Sequence, residues 1–102
     1  MEYRRYVIRE GKKQQWLEWA AYLVAHQKEV FETLKQEGCI REACWIQGED
    51  IYYAIDSLFL GMDKAKQLNV DHMKNFKECL KFVEKYTPPI PEDAIKLFDF
   101  KP

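Results

Sequence analysis

Glycine and proline are scarce in this chain of 102 residues, four of each, and the glycines are too dispersed to form G-x-G-x-x-G or G-x-x-x-x-G-K. Loops that cradle phosphates through those spacings are therefore excluded. No G-x-S-x-G nucleophile elbow occurs either, so serine hydrolysis and phosphoryl transfer are poor readings. The three cysteines, Cys39, Cys44 and Cys79, form no C-x-x-C, and their number is odd. They read as reduced, mostly buried thiols of a cytoplasmic protein. No apolar run approaches the roughly 20 residues of a membrane span, and Met1–Arg5 lacks the apolar core of a signal peptide. No membrane partner is expected. Lysines and arginines are interleaved with acids to a net charge of -1, which removes the electrostatic footprint of a nucleic-acid binder. His26 and His72 have no metal-ligand spacing and no H-x-E partner, so neither a metal nor a cofactor is expected.

What the chain has is aromatic side chains, 15% of residues, within a composition 47% hydrophobic and 32% charged. That belongs to a soluble globular protein, and the length suits one domain over residues 1–102. The dominant pattern runs from Lys13 to Glu37. At 3.6 residues per turn Trp16, Ala20, Leu23, Val30 and Leu34 share one stripe, flanked by Trp19, Val24 and Phe31. No glycine or proline interrupts it, and Gly38 follows as a left-handed cap, so one long helix is predicted.

Strand-like alternation precedes and follows that helix. Glu2–Arg9 is a first strand, joined to the helix by a turn at Glu10–Lys12. Ile40–Gln47 and Ile51–Leu58 form a hairpin across Gly48-Glu49-Asp50. A turn of helix is expected near Met62–Lys66. A second long helix is read from Val70 to Tyr86, with His72, Phe76, Cys79 and Val83 on its stripe. Thr87-Pro88-Pro89-Ile90-Pro91 is an extended connector, and Ala94–Phe100 is a last strand. Strand, helix, strand, strand, helix, strand is the order of an α+β, ferredoxin-like βαββαβ domain: a four-stranded antiparallel sheet with two helices on one face. The aliphatic sets Cys44 with Ile46, Ile51 with Ile55, and Ile95 with Leu97 would meet the helices. The other face would carry Arg41, Trp45, Tyr52, Asp56, Phe98 and Phe100, joined by either Tyr6 with Arg4 or Tyr3 with Arg5. Such a face is too aromatic to be left in water. It would be covered by a second copy, making a homodimer through the sheet, or would line a ligand cavity.

This order, together with Phe31-Glu32-Thr33-Leu34-Lys35-Gln36-Glu37-Gly38 leading into a strand, resembles the dimeric α/β-barrel superfamily over Tyr3–Phe100. Within it the chain looks most like small bacterial proteins of unknown function, and more distantly it is similar to L-rhamnose mutarotases. The resemblance implies acid/base chemistry on a small molecule, with a first-helix histidine at the sugar anomeric centre. His26 is the nearest counterpart, about one helical turn closer to Gly38 than that pattern. Asn75-Phe76 stands where mutarotases carry paired tryptophans.

Three ionisable residues are therefore candidates for catalysis. His72 falls in the first turn of the second helix, where the dipole disfavours an imidazolium, and suits a general base or donor. Its alternative role is to satisfy a backbone carbonyl. His26 borders the first helix's stripe. Asp56 sits among aromatics, where desolvation raises its pKa unless Arg41 pairs with it. Arg41, Trp45, Tyr52, Tyr6 and Gln27 are the candidate ligand contacts, Gln27 because an amide within an apolar stripe needs a partner. The expected function is a metal-free small-molecule isomerase or binder. A cofactor-free oxygenase on an aromatic substrate and a non-catalytic dimeric module are the alternatives.

Overall fold

Alternation at the start of the chain becomes β1, Glu2–Ile8, with Tyr6 and Ile8 buried. A computed structural model of the chain describes residues 1–36, 38–57 and 67–102. After a turn in which Gly11 takes a positive φ of 75° comes α1, Lys13–Ala25. Then follow α2, Gln27–Gln36, and a hairpin of β2, Cys39–Gln47, with β3, Asp50–Ser57. The chain continues through α3, Gln67–Cys79, into β4, Leu80–Lys85, and ends with β5, Ile95–Phe100. The expected turn near Met62–Lys66 lies outside the described residues.

Among the described residues five strands form one antiparallel sheet in the order β4-β1-β3-β2-β5. The helices cover one face. Trp16, Ala20 and Leu23 of α1 and Val30 and Leu34 of α2 enter a single core with Tyr6, Ile8, Cys44, Ile51 and Tyr53. All three cysteines are buried thiols.

Four features of this architecture correct the expectations. The sheet has five strands, because the second long helix stops at Cys79 and Leu80–Lys85 pairs with β1 instead. Phe82 meets Tyr6 edge-on at 5.7 Å, a contact that cross-strand pairing supplies. The first long helix is interrupted at His26, whose φ of -112° and ψ of 34° leave the helical region. There the His26 ring stacks on Tyr22 at 3.9 Å, and its Nδ1 bonds the Tyr22 carbonyl at 2.8 Å. Val30 and Leu34 stay buried as the stripe predicts, but Gln27, the first residue of the new helix, is exposed rather than buried.

The remaining two corrections concern the sheet faces. Phe98 and Phe100 lie on the helix side, Phe98 against Tyr53 and Phe100 against Phe31, while Ile95 is 66% exposed. Phe98 pairs with inward-facing Cys44 and Phe100 with inward-facing Glu42, a parity that buries the two larger side chains. Arg41 pairs with Asp99 of β5, at 2.8 and 2.7 Å through two guanidinium nitrogens, and not with Asp56, its ladder neighbour on β3. On β1, Tyr6 and Arg4 face the helices, which leaves Tyr3 and Arg5 on the other side.

The helix-free face is partly closed by the chain itself. β4 and β5 occupy opposite edges, so residues 86–94 must travel from one edge to the other. Tyr86 packs on Tyr52 at 4.9 Å, and Gln47 on β2 donates to Asp93. Tyr52 is buried as a result, and the proline-rich connector acts as a strap across that end of the sheet.

Candidate functional site

On β2, inward-facing positions alternate as Glu42, Cys44 and Ile46. A carboxylate in that apolar set is forced into the layer between sheet and helices, and Glu42 is only 8% exposed. The β2–β3 ladder aligns Cys44 with Tyr53, which brings the Tyr53 hydroxyl to the neighbouring inward position. That hydroxyl donates to Glu42 Oε1. From above, the first turns of α3 lower His72 onto the same pair. Its Nε2 lies 3.2 Å from Glu42 Oε1 and 3.0 Å from Tyr53 Oη. On its far side Trp19 Nε1 of α1 donates to His72 Nδ1 at 2.9 Å.

The last contact decides the histidine's state. An indole nitrogen can only donate, so Nδ1 must present a lone pair. The ring is therefore neutral with its proton on Nε2, aimed at Glu42 and Tyr53. Burial pushes the Glu42 carboxyl up, but the attraction of the His72 ring once it takes up a proton at lower pH, its hydrogen bond and that of the Tyr53 hydroxyl outweigh it and hold the Glu42 pKa below the ordinary 4.5. Burial first, and then the Glu42 charge, push the Tyr53 phenol well above its ordinary 10.0. Near neutral pH the cluster is thus one carboxylate receiving hydrogen bonds from a neutral phenol and a neutral imidazole.

These three groups form the polar floor of a cavity of about 300 Å³. Leu23, Val30 and Leu34 line one wall, and Tyr6, Phe76 and Ile55 another. The aromatic wall is itself interlocked, with Tyr6 and Tyr53 edge-on to Phe76 at 4.9 and 5.3 Å. Thr33 also reaches the cavity, but its hydroxyl donates to the Glu29 carbonyl of its own helix. Met73 and Arg4, both substantially exposed, stand at the mouth. Arg4 is bound by Glu2 at 3.1 Å and lies over the Phe82 ring at 5.8 Å. Glu42 has no lysine or arginine within ion-pair distance among the described residues. Nor is any group of three or more His, Cys, Asp or Glu among those residues placed to hold a metal ion.

Of the residues singled out from sequence, His72 and Tyr6 line this cavity. His26 sits in a shallow surface hollow with Glu29 and Glu32, away from it. Arg41, Trp45, Tyr52 and Asp56 are on the opposite side of the sheet, and Gln27 points to solvent. Glu42 and Tyr53, which line the cavity, and Trp19, which backs His72, are the site residues that the sequence reading passed over. A signal for Glu42 existed: it is the one acidic residue sharing the parity of Cys44 and Ile46. Trp19 carried no such signal, since a tryptophan on a helix stripe reads as packing.

The chain belongs to a family of unknown function, DUF6176, matched over residues 1–89. The matched stretch contains β1 to β4 and every residue of the cavity, while β5 lies beyond it. No curated protein and no solved structure shows a significant match. No helix among the described residues is long and apolar enough to cross a membrane.

Proposed function

We propose that the helix–sheet cavity is the site of a small-molecule enzyme that moves a proton with its own side chains. The observation carrying this reading is the buried Glu42 carboxylate, ionised and aimed into an apolar cavity, with a phenol and a tautomer-fixed imidazole on one of its oxygens. An ionised carboxylate held in place by its neighbours at the cavity floor is the form that can accept a proton from a bound molecule positioned against it. Glu42 would receive the proton, and Tyr53 and His72 would steady the carboxylate before and after. An isomerisation, in which the proton returns to a different atom of the same molecule, balances without a co-substrate.

The sheet supports the ferredoxin-like assignment. The order β4-β1-β3-β2, with helical crossovers after β1 and β3, is that of a split βαβ core, and β5 extends it at the β2 edge. Homodimerisation through the helix-free face draws less support than the composition implied. Phe98 and Phe100 are spent on the core, and Tyr52 is covered by Tyr86.

A fragment screen by thermal shift tests the enzyme reading. A ligand bound only by the folded protein stabilises it by about 2.7 kcal/mol at a hundred times its Kd. One class of small molecules should raise the melting temperature of the wild type and lose that effect in His72→Ala. If nothing in a chemically broad set binds, the cavity is packing and the reading falls.

A further inference from the structure

The geometry points to a ligand of defined polarity: an apolar body headed by a hydrogen-bond donor, hydroxyl or amine, and carrying no negative charge. This inference rests on the small-molecule reading above and follows from counting what the cavity floor can still offer. The Tyr53 O–H is spent on Glu42 Oε1. The His72 Nε2–H faces that same oxygen and the Tyr53 oxygen. The other ring nitrogen of His72 is occupied by Trp19. Every donor of the floor is thus committed inward. The capacity left over is acceptor capacity: Glu42 Oε2 and a lone pair of Tyr53 Oη.

A carboxylate ligand would bring acceptors to acceptors and a second negative charge to a buried anion that has no cationic partner among the described residues. Arg4 could in principle offset that charge, but it stands at the mouth and is already held by Glu2 and Tyr6. A donor head meets the opposite situation. It completes the hydrogen bonding of Glu42, and an amine also gains the electrostatic match to the carboxylate and to the π faces of Tyr6 and Phe76. The walls, aliphatic from α1 and α2 and aromatic from β1 and α3, take an apolar body.

The test uses three probes of one shape and three polarities: phenethylamine, phenethyl alcohol and phenylacetate. With the intact chain, the amine and the alcohol should raise the melting temperature and perturb the NMR signals of Phe76 and the Trp19 indole, and phenylacetate should bind at least about tenfold more weakly. In Glu42→Gln, which keeps the shape but places donor hydrogens on the floor, the amine should lose its advantage and phenylacetate should gain. If Glu42→Gln does not fold, the comparison within the wild type still decides. Phenylacetate binding as well as the alcohol would overturn the polarity assignment while leaving the cavity a small-molecule site. No binding by any of the three would also overturn the assignment, and the broader screen above then separates that result from failure of the enzyme reading.

Discussion

Tyr53→Phe removes a single oxygen from the floor of the cavity and leaves the packing intact. The ring keeps its edge-on contacts with Phe76 and Phe98, at 5.3 and 6.0 Å, so no void opens beyond the hydroxyl. What is lost is a hydrogen bond to a buried carboxylate, a class worth about 1.5–3 kcal/mol. Glu42 retains the His72 contact at 3.2 Å, which places the expected cost near the middle of that range, about 2 kcal/mol. In a chain of this size that corresponds to a fall in Tm of roughly 10 °C. Urea unfolding should show the midpoint moving with the slope unchanged, since the surface exposed on unfolding is the same. Tyr52→Phe is the matched control. Its hydroxyl lies 3.5 Å from Gln47 Oε1, too long for a strong bond, so its loss should cost under about 0.5 kcal/mol. If the two substitutions cost the same small amount, Tyr53 does not hold Glu42, and the electrostatic account of the cavity fails with it.

Trp19→Phe keeps an aromatic ring beside His72 but withdraws the donor that fixes its tautomer. Nitrogen-15 NMR should find the wild-type ring unprotonated at Nδ1 at neutral pH, and the variant should take up a proton there at higher pH than the wild type. The same spectrum in both would show that Trp19 merely packs. Stability should also carry the mark of Glu42. Its folded pKa is depressed, so its contribution is complete above the unfolded value of 4.5 and is lost as pH falls through the folded value. Acid unfolding of Glu42→Gln should therefore lack part of the slope seen in the wild type below that pH. At the other extreme the raised Tyr53 pKa stabilises the fold fully below 10.0, and that contribution disappears as pH rises beyond it, which Tyr53→Phe should abolish.

The α+β class and the antiparallel hairpin were legible because alternation and the Gly48 turn are local signals, and Gly48 does adopt a positive φ of 60°. Gly38 likewise takes the left-handed conformation expected after the helix, at φ 71°. The boundary between α3 and β4 was not legible. Leu80, Phe82 and Glu84 alternate as a strand, but Phe76, Cys79 and Val83 also fit a helix stripe, and no glycine or proline separates the two. Pairing with β1, a contact distant in sequence, decides it. The break at His26 has the same character, because a side chain capturing the Tyr22 carbonyl leaves no mark in the hydrophobic period. The parity of β5 turned on its pairing with Glu42 and Cys44 of β2, which alternation within β5 alone does not announce. For the site, position on the second helix led to His72, whereas Glu42 and Tyr53 acquire meaning only when β2 and β3 are set side by side beneath it.

The claim beneath all of this is that a carboxylate stays ionised inside an apolar cavity, and a carbon-13 titration of the Glu42 side chain measures it directly. The carboxyl carbon should keep its ionised chemical shift through neutral pH and titrate below 4.5. A Glu42 that is protonated at pH 7 would contradict the account, for the floor would then hold a donor acid in place of a base.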